Sequence, residues 1–568
     1  MEMQKNRKID LSLTAALLLT AFCIFVTIFH QENFDADNVI ISMAVNRLYS
    51  EENYCLFLNP LLCGIIRPIS GLLPNADILK LMMFVMYWLS VFCFSRVCFK
   101  CNIGTAVKIL LGISLIPLIL VNAIFINFTV AAAYFGMAGF TVIFIALKHG
   151  HGRSYGIAGL ILILFGTMLR QEAVLLMLPF ALLHVFTEAA ISLHAGKGLL
   201  RDKKRRSAAV WVLVCLLCIT ALSLYHNAVN SSQKYLDGSL YNRYRAEIVD
   251  YDTLAYPETS GEFQKNVSEN DYDAAKKMLL ADTRIMTADY LKYIAENTAA
   301  AAYAPTFENL KNIFVYALTL KYGRPHWQSV VLTVRIMFLF VLLVKIRKVY
   351  KAEALAAALG AVLMVMYFVF IGRLMDRIYI SAMLGCFFCF VLCITSHPTT
   401  RGKNRLLYLM FPAMAAAVTV GFLCYSQMGL VRRAYNVFDT NTGADESVFE
   451  FTYTDNSLYL WDPYKYDFIA MMYFTNQNKL PSRRFLQHNI PVGEWTYAQP
   501  YFNDHLEGIG AQDPLHALIY RDDVYYISED PTTLYTYIQE HYEPDIQIEC
   551  TAALNKNVYI WRFTPPIE

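Results

Sequence analysis

The strongest constraint on this chain is a run of apolar residues long enough to cross a bilayer. Leu11 to Phe29 reads LSLTAALLLTAFCIFVTIF without one charge, and about 20 such residues span a ~30 Å hydrocarbon core as a helix. Comparable runs recur near 78–98, 106–125, 128–147, 154–169, 173–187, 208–228, 328–345, 354–371, 378–395 and 406–425. Eleven spans are therefore expected, and the chain reads as a polytopic α-helical membrane protein. Composition agrees: 17% of residues are charged, against about 25% in a soluble chain. The first run is too long, and lacks the small-residue cleavage site, for a removed signal peptide.

Basic residues set the expected orientation. Lys5, Arg7 and Lys8 precede the first run, and every second junction after it is basic: Arg96/Lys100/Lys108, Lys148/Arg153, Lys197 to Arg206, Lys345/Arg347/Lys348/Lys351 and Arg401/Lys403/Arg405. The positive-inside rule then puts the N-terminus in the cytoplasm of a multi-pass cell-membrane protein. That count requires PTFENLKNIFVYALTLK (Pro305 to Lys321) not to cross, so it is expected as a surface or re-entrant helix. Residues 1–425 form the membrane domain, with long outer loops at 30–77 and 229–327. Residues 426–568 differ in kind, alternating strand-like SLYLW, HALIY, VYYI and VYIWRF with helix-like TTLYTYIQEHY. They are expected to form a small extracytoplasmic α/β domain. With a net charge of +2 and basic residues confined to short blocks, there is no nucleic-acid footprint.

The 13 cysteines say less. Cys98/Cys101, Cys215/Cys218 and Cys386/Cys389 have CxxC spacing, but the last two pairs sit inside expected helices with no histidine or carboxylate nearby in sequence. There a thiol is read as a small hydrophobe. Cys55 and Cys63 share one loop and would be able to pair in an oxidising compartment.

Charges at the outer membrane edge are more telling, because they are costly there. Glu32, Asp35 and Asp37 follow the first span in HQENFDADN; Arg170 and Glu172 occupy the turn in MLRQEAVLLMLPF; Arg373, Asp376 and Arg377 lie in IGRLMDRIY with one-face helical spacing. Arg335, inside the eighth span, adds a further basic group. The two spans flanking Arg170 look only about 23 Å long at 1.5 Å per residue, so that turn should be drawn inward. Each group taken alone has a plain reading as a solvated loop acid, a snorkelling arginine or a helix cap. Together they suit a hydroxyl deprotonated beside a bound phosphate.

At this point the chain resembles the GT-C superfamily of integral-membrane glycosyltransferases, which use polyprenyl-phosphate-linked sugars. The likeness rests on the acidic motif after the first helix, on DADNVIISMAVNRLYSEENYCLFLNPLLCGIIRPISGLLP (Asp35 to Pro74) with its LNPLL and Arg67, and on LRQEAVLLMLPF. It covers roughly residues 1–425. The resemblance implies Asp35 or Asp37 as catalytic base, or as the ligand of a divalent metal if one is used. It also implies substrate binding by Glu32, Arg67, Arg170, Glu172, Arg335, Arg373, Asp376 and Arg377. The motif reads D-A-D rather than the adjacent D-E of several branches, so either acid remains a candidate.

The expected function is hexosyl or pentosyl transfer from that lipid-linked donor to a cell-envelope glycan, lipid or polymer. The alternative is a transporter or flippase of a lipid-linked glycan. Transporters often show broken helices, internal repeats and midplane charges; here the charges lie at one edge and no repeat is found. A scaffold whose aromatic-rich C-terminal region binds a partner is a third reading. Neither GxGxxG nor a P-loop occurs, so no nucleotide-driven pump is implied.

Overall fold

The structure is a computed structural model that describes residues 10–29, 36–194, 203–300, 325–396, 409–421, 456–463 and 480–566, with short breaks inside these ranges, and the isolated residues 311 and 452. Glu32, Asp35, the Pro305–Lys321 helix apart from Lys311, and most of 426–479 lie outside the described residues.

The apolar runs become α1 (Leu11–Phe29), α4 (Ile78–Lys100), α5 (Thr105–Ile124), α6 (Phe128–His149), α7 (Arg153–Leu169), α8 (Gln171–His194), α9 (Lys203–Asn230), α14 (Pro325–Leu343), α15 (Lys348–Phe370), α16 (Asp376–Thr395) and α17 (Leu409–Gly421). Between α1 and α4 lie α2 (Ala36–Val45) and α3 (Pro60–Leu72). Eight of these helices, α1, α4, α5, α6, α8, α9, α15 and α16, are long and apolar enough to cross a membrane. The chain is a polytopic helical protein. α7, α14 and α17 are shorter apolar helices. One expectation needs correcting: α8 has 24 residues, not the 15 of 173–187, and at 1.5 Å per residue reaches about 36 Å. Only α7, with 17 residues, is short.

α6 is the axis of the bundle. Its span is 94% buried, whereas that of α9 is 17% buried and leaves its apolar face for lipid. Small residues make the central position possible. Gly139 of α6 and Gly159 of α7 lie against one another's backbone; a Cβ on Gly139 would sit 2.5 Å from the Gly159 oxygen, and one on Gly159 2.6 Å from the Gly139 oxygen. Close backbone approach of this kind replaces the hydrophobic drive that lipid does not supply. Gly159→Val is therefore expected to destabilise the protein by about 1–3 kcal/mol or more, since backbone cannot rotate away. Thermal denaturation in detergent checks this against Gly360→Ala, where nothing lies within 4 Å, and where helix propensity predicts no loss.

Connectivity alternates the helix directions, so the C-terminal ends of α1, α5, α7, α9 and α15 share one end of the bundle, called the upper end. At the lower end Arg96 holds Asp10 at 2.5 Å and Lys148 holds Glu188 at 2.6 Å. Above the helices, α10 (Leu236–Val249), α11 (Glu262–Asn266), α12 (Glu269–Lys276), α13 (Ala288–Asn297) and the two-residue strands β1 (Leu254–Ala255) and β2 (Ala299–Ala300) form a layer. The C-terminal segment adds β3 (Leu458–Trp461), α18 (Arg483–His488), β4 (Asn489–Pro491), α19 (Pro500–Gly508), α20 (Pro514–Tyr520), β5 (Val524–Ser528), α21 (Thr532–His541), β6 (Gln547–Asn555) and β7 (Val558–Thr564). Its sheet runs β4-β3-β5-β7-β6, with β3 parallel to both neighbours and β7 antiparallel to both of its own. Every residue of β3 is buried, as the continuous run LYLW requires of a parallel strand covered on both faces.

One further expectation changes. HALIY is helix rather than strand: Asp513 caps α20 by accepting from His516 N, and Pro514 opens its first turn. Cys55 and Cys63 are both buried and are not joined by a disulfide. The sheet unit is clamped to loop 229–327. Leu280 N donates to Val492 O at 2.9 Å, Tyr537 donates to Asp282 at 2.8 Å, and Arg284 pairs with Asp513 at 2.7 Å. A Cβ at Gly493 would collide with the Met278 carbonyl.

His541 Nε2 meets Asp271 Oδ1 in the same interface at 2.6 Å. The bond to Asp271 raises the His541 pKa; burial pushes Asp271 up, but His541, the Ser268 N–H and the Tyr290 hydroxyl together hold it below its ordinary value. The sign follows. The raised histidine stabilises fully below its unfolded pKa and loses that contribution as pH rises through its folded one. The depressed carboxylate contributes above its unfolded pKa and loses that as pH falls through its folded one. The pair should thus be worth most between about pH 4 and pH 6.5. The Tm advantage of the parent over His541→Gln is expected to be larger at about pH 5.5 than at about pH 8.5; equal advantages would show that the contact is not ionic.

Candidate functional site

The upper end of the bundle carries the cluster of charges. α2 presents Asp37 in its first turn, and the next residue fixes that helix in place: Asn38 Nδ2 donates to Ile126 O at 2.6 Å and Asn38 Oδ1 accepts from Phe128 N at 3.1 Å. The LNPLL segment does similar work. Asn59 caps α3, its N–H reaches Met168 O at 2.8 Å, and its amide reaches Leu222 O at 2.9 Å. α3 is thereby keyed to the ends of α7 and α9, beside the turn that holds Arg170.

Asp37 and Arg377 form an ion pair of 2.8 Å, each side chain about one quarter exposed. Burial pushes the Asp37 carboxyl up, but Arg377, by charge and hydrogen bond, and Arg245 and Arg170, by charge, hold it below its ordinary value. Arg373 reaches Asp250 at 3.2 Å and the Tyr251 hydroxyl at 2.9 Å, and its guanidinium lies 4.8 Å from the Tyr251 ring. Arg245 approaches the other oxygen of Asp250 at 3.6 Å. Arg170 pairs with Glu172 at 3.1 Å and lies over Phe57 and Phe128, at 4.7 and 5.4 Å from their ring centres.

The sequence-derived set is thus partly assembled. Asp37, Arg170, Glu172, Arg373 and Arg377 come together. The expected single helical face of Arg373, Asp376 and Arg377 is not formed, because the chain breaks between Phe370 and Asp376. Arg373 stands in that break and Arg377 in the next helix, so each is drawn to a different carboxylate. Asp376 opens α16, where a negative charge suits the helix N-terminus. Arg335 is half-buried, its charge reaches Tyr379 in the first turn of α16, and it stands outside the ion pairs above. Arg67 is exposed on α3 and its guanidinium takes no part in those pairs. Glu32 and Asp35 lie outside the described residues.

Sequence reasoning missed Arg245, Asp250 and Tyr251 on and after α10, and Trp495, whose ring meets Phe57 edge-on at 4.7 Å. Trp495 Nε1 and Arg245 Nε are buried without a hydrogen-bond partner. Among the described residues in these ion pairs, four arginines (170, 245, 373, 377) stand against three carboxylates (37, 172, 250). Such surroundings favour an anion, and disfavour a dication beside Asp37. Among the described residues, close-set metal-ligating groups occur elsewhere: Asp271/Glu540/His541, and Glu353/Cys389/Cys393.

Next to this end, a cleft of about 620 Å³ opens between α10, α13 and α19. It is lined by Lys234, Asp237, Tyr241, Asp289, Tyr497 and Asp504 among others. Tyr241 and Tyr497 are buried in its wall, and the carboxylates of Asp237, Asp289 and Asp504 offer acceptors to hydroxyl donors of a ligand. No family model, curated protein or solved structure matches the chain.

Proposed function

We propose that the protein is a glycosyltransferase of GT-C type, moving a hexosyl or pentosyl unit from a polyprenyl-phosphate donor to a cell-envelope glycan, lipid or polymer. The eleven-span topology belongs to the same proposal, with the N-terminus cytoplasmic and the arginine end and sheet unit outside. The observation that carries it is Asp37, partly exposed and ionised among Arg377, Arg245 and Arg170 at the upper end of the helices. In this reading the donor phosphate competes with Asp37 for Arg377. As the arginine moves to the phosphate, the carboxylate loses its partner, becomes more basic and takes the proton of the acceptor hydroxyl. Asp35, two residues earlier, is the other candidate for that step. The arginines stabilise the phosphate oxygens as the glycosidic bond breaks, and the neighbouring cleft receives the acceptor glycan.

The test uses purified protein in liposomes with a radiolabelled polyprenyl-phosphate sugar and an acceptor glycan. The expected result is label in the glycan and free polyprenyl phosphate in the membrane. Movement of intact donor across the bilayer without bond cleavage would instead establish the transporter. A reporter fused after Glu568 that works only in the cytoplasm would place the arginine end inside and remove the proposed orientation.

A further inference from the structure

At the lower end of the bundle, remote from the arginines, three helices bring an unusual set of side chains into contact. Glu353 of α15 is buried, its side chain 0% exposed. Oε1 is shared: His184 of α8 meets it through Nδ1 at 2.8 Å, and the Cys389 thiol of α16 donates to it at 3.4 Å. The other oxygen, Oε2, is buried with no hydrogen-bond partner. Cys393 lies one turn beyond Cys389, its thiol beside both Cys389 and Glu353. The ligating atoms of Glu353, Cys389 and Cys393 all fall within 4.8 Å of one another.

The surrounding charges are already committed. Lys148 is held by Glu188 at 2.6 Å and by the Tyr350 hydroxyl at 3.0 Å, and Tyr350 donates in turn to Glu188 at 2.7 Å. His184 is the basic group that meets Glu353, and its Nε2 faces Ser396 Oγ at 3.5 Å and Glu188 at 4.0 Å. A carboxylate sealed in a bilayer-embedded core with one bare oxygen is costly, because nothing replaces its lost hydration. A carboxylate oxygen and two cysteine sulfurs one helical turn apart are, in composition, a thiolate–carboxylate ligand set for a borderline-soft divalent ion.

We propose that Glu353, Cys389 and Cys393 form a zinc-class metal site, with His184 as the positioning residue that orients the carboxylate. Zn–S bonds of about 2.3 Å and Zn–O bonds of about 2.0–2.2 Å require ligand atoms a few ångströms apart, and those of the three residues lie within 4.8 Å of one another. Binding releases the two thiol protons, so two thiolates, one carboxylate and one dication leave the site with a single net negative charge. The bare Oε2 becomes available to the ion. Cys393 lies two residues before Thr395, the last residue of α16, so an ion entering from the lower end has less than one helical turn to cross. The site ties α15 to α16, the two helices whose upper ends frame Arg373 and Arg377.

The full-length protein, purified in detergent without chelators, is expected to carry about one zinc per chain. After chelator stripping, cobalt(II) should produce thiolate-to-metal charge-transfer absorption in the near ultraviolet and the d–d bands of a tetrahedral site. Cys389→Ser/Cys393→Ser should abolish both signals, while Cys386→Ser, on the same helix but bonded to the Ala357 carbonyl, should keep them. His184→Gln should weaken cobalt binding by about 10–100-fold while retaining the same spectrum, as expected for a residue acting through the carboxylate. Parent protein with less than about a tenth of an equivalent of metal, and no thiolate–cobalt band on titration, overturns the proposal. So does a charge-transfer band that survives the double serine substitution. None of these readouts depends on sugar transfer.

Discussion

Protein carrying Asp37→Asn is expected to transfer sugar about 10²–10⁴-fold more slowly than the parent, the usual contribution of a positioned general base. The substitution preserves shape and keeps a hydrogen-bond acceptor facing Arg377, which now donates to Asp37 at 2.8 Å, so the fold should hold. It also frees a positive charge, so donor binding should be unchanged or slightly tighter and the loss should appear in kcat. Steady-state kinetics with a lipid-phosphate donor separates the two. Asp35→Asn and the double variant complete the set. If all three keep near-parental rates, the first loop is not the catalytic site and the transporter reading takes its place.

Replacing the arginines should have the opposite signature. Arg377→Gln, Arg373→Gln and Arg170→Gln are each expected to weaken donor binding by about 1.5–3 kcal/mol, the range for hydrogen bonds to charged groups, or roughly 10–150-fold in KM. The pH profiles should then differ among them. Arg377 contacts Asp37 directly and lowers its pKa, whereas Arg373 is occupied with Asp250 and Tyr251. A base must be deprotonated to act, so activity falls as pH drops through its pKa. Removing Arg377 raises that pKa, and the acid limb of kcat/KM should move to higher pH. Removing Arg373 should leave the limb much closer to its parental position. Equal displacement in both variants would mean that Asp37 is not the group titrating.

Five of these charges were legible in the sequence because an ion at the edge of an apolar run stands out from its background. Asp37, Arg170, Glu172, Arg373 and Arg377 are all of that kind. Arg245 and Asp250 were not, since in a polar loop such as RYRAEIVDYD a charge is ordinary and only the folded path brings it to Arg373. Glu353 and His184 lie 169 residues apart, and Cys389 pairs with a glutamate 36 residues away. A search for CxxC spacing favours Cys386/Cys389, whereas a helix surface places Cys389 and Cys393 together. HALIY misled for a related reason: a short apolar run fits strand and helix alike, and its Asp-Pro start was the better guide.

Trp495 follows the membrane helices by more than 70 residues, yet it packs on Phe57, the ring beneath Arg170. Translation delivers the N-terminal parts of a protein first. The helices can therefore be inserted and the arginines gathered while this lid is still on the ribosome. A chain stopped after α17 would be membrane-embedded and immunologically present, yet would lack both Trp495 and the strand-bearing unit that locks onto Met278 and Leu280. Late nonsense mutations should accordingly be as damaging to activity as early ones, although the helical part of the chain is already made.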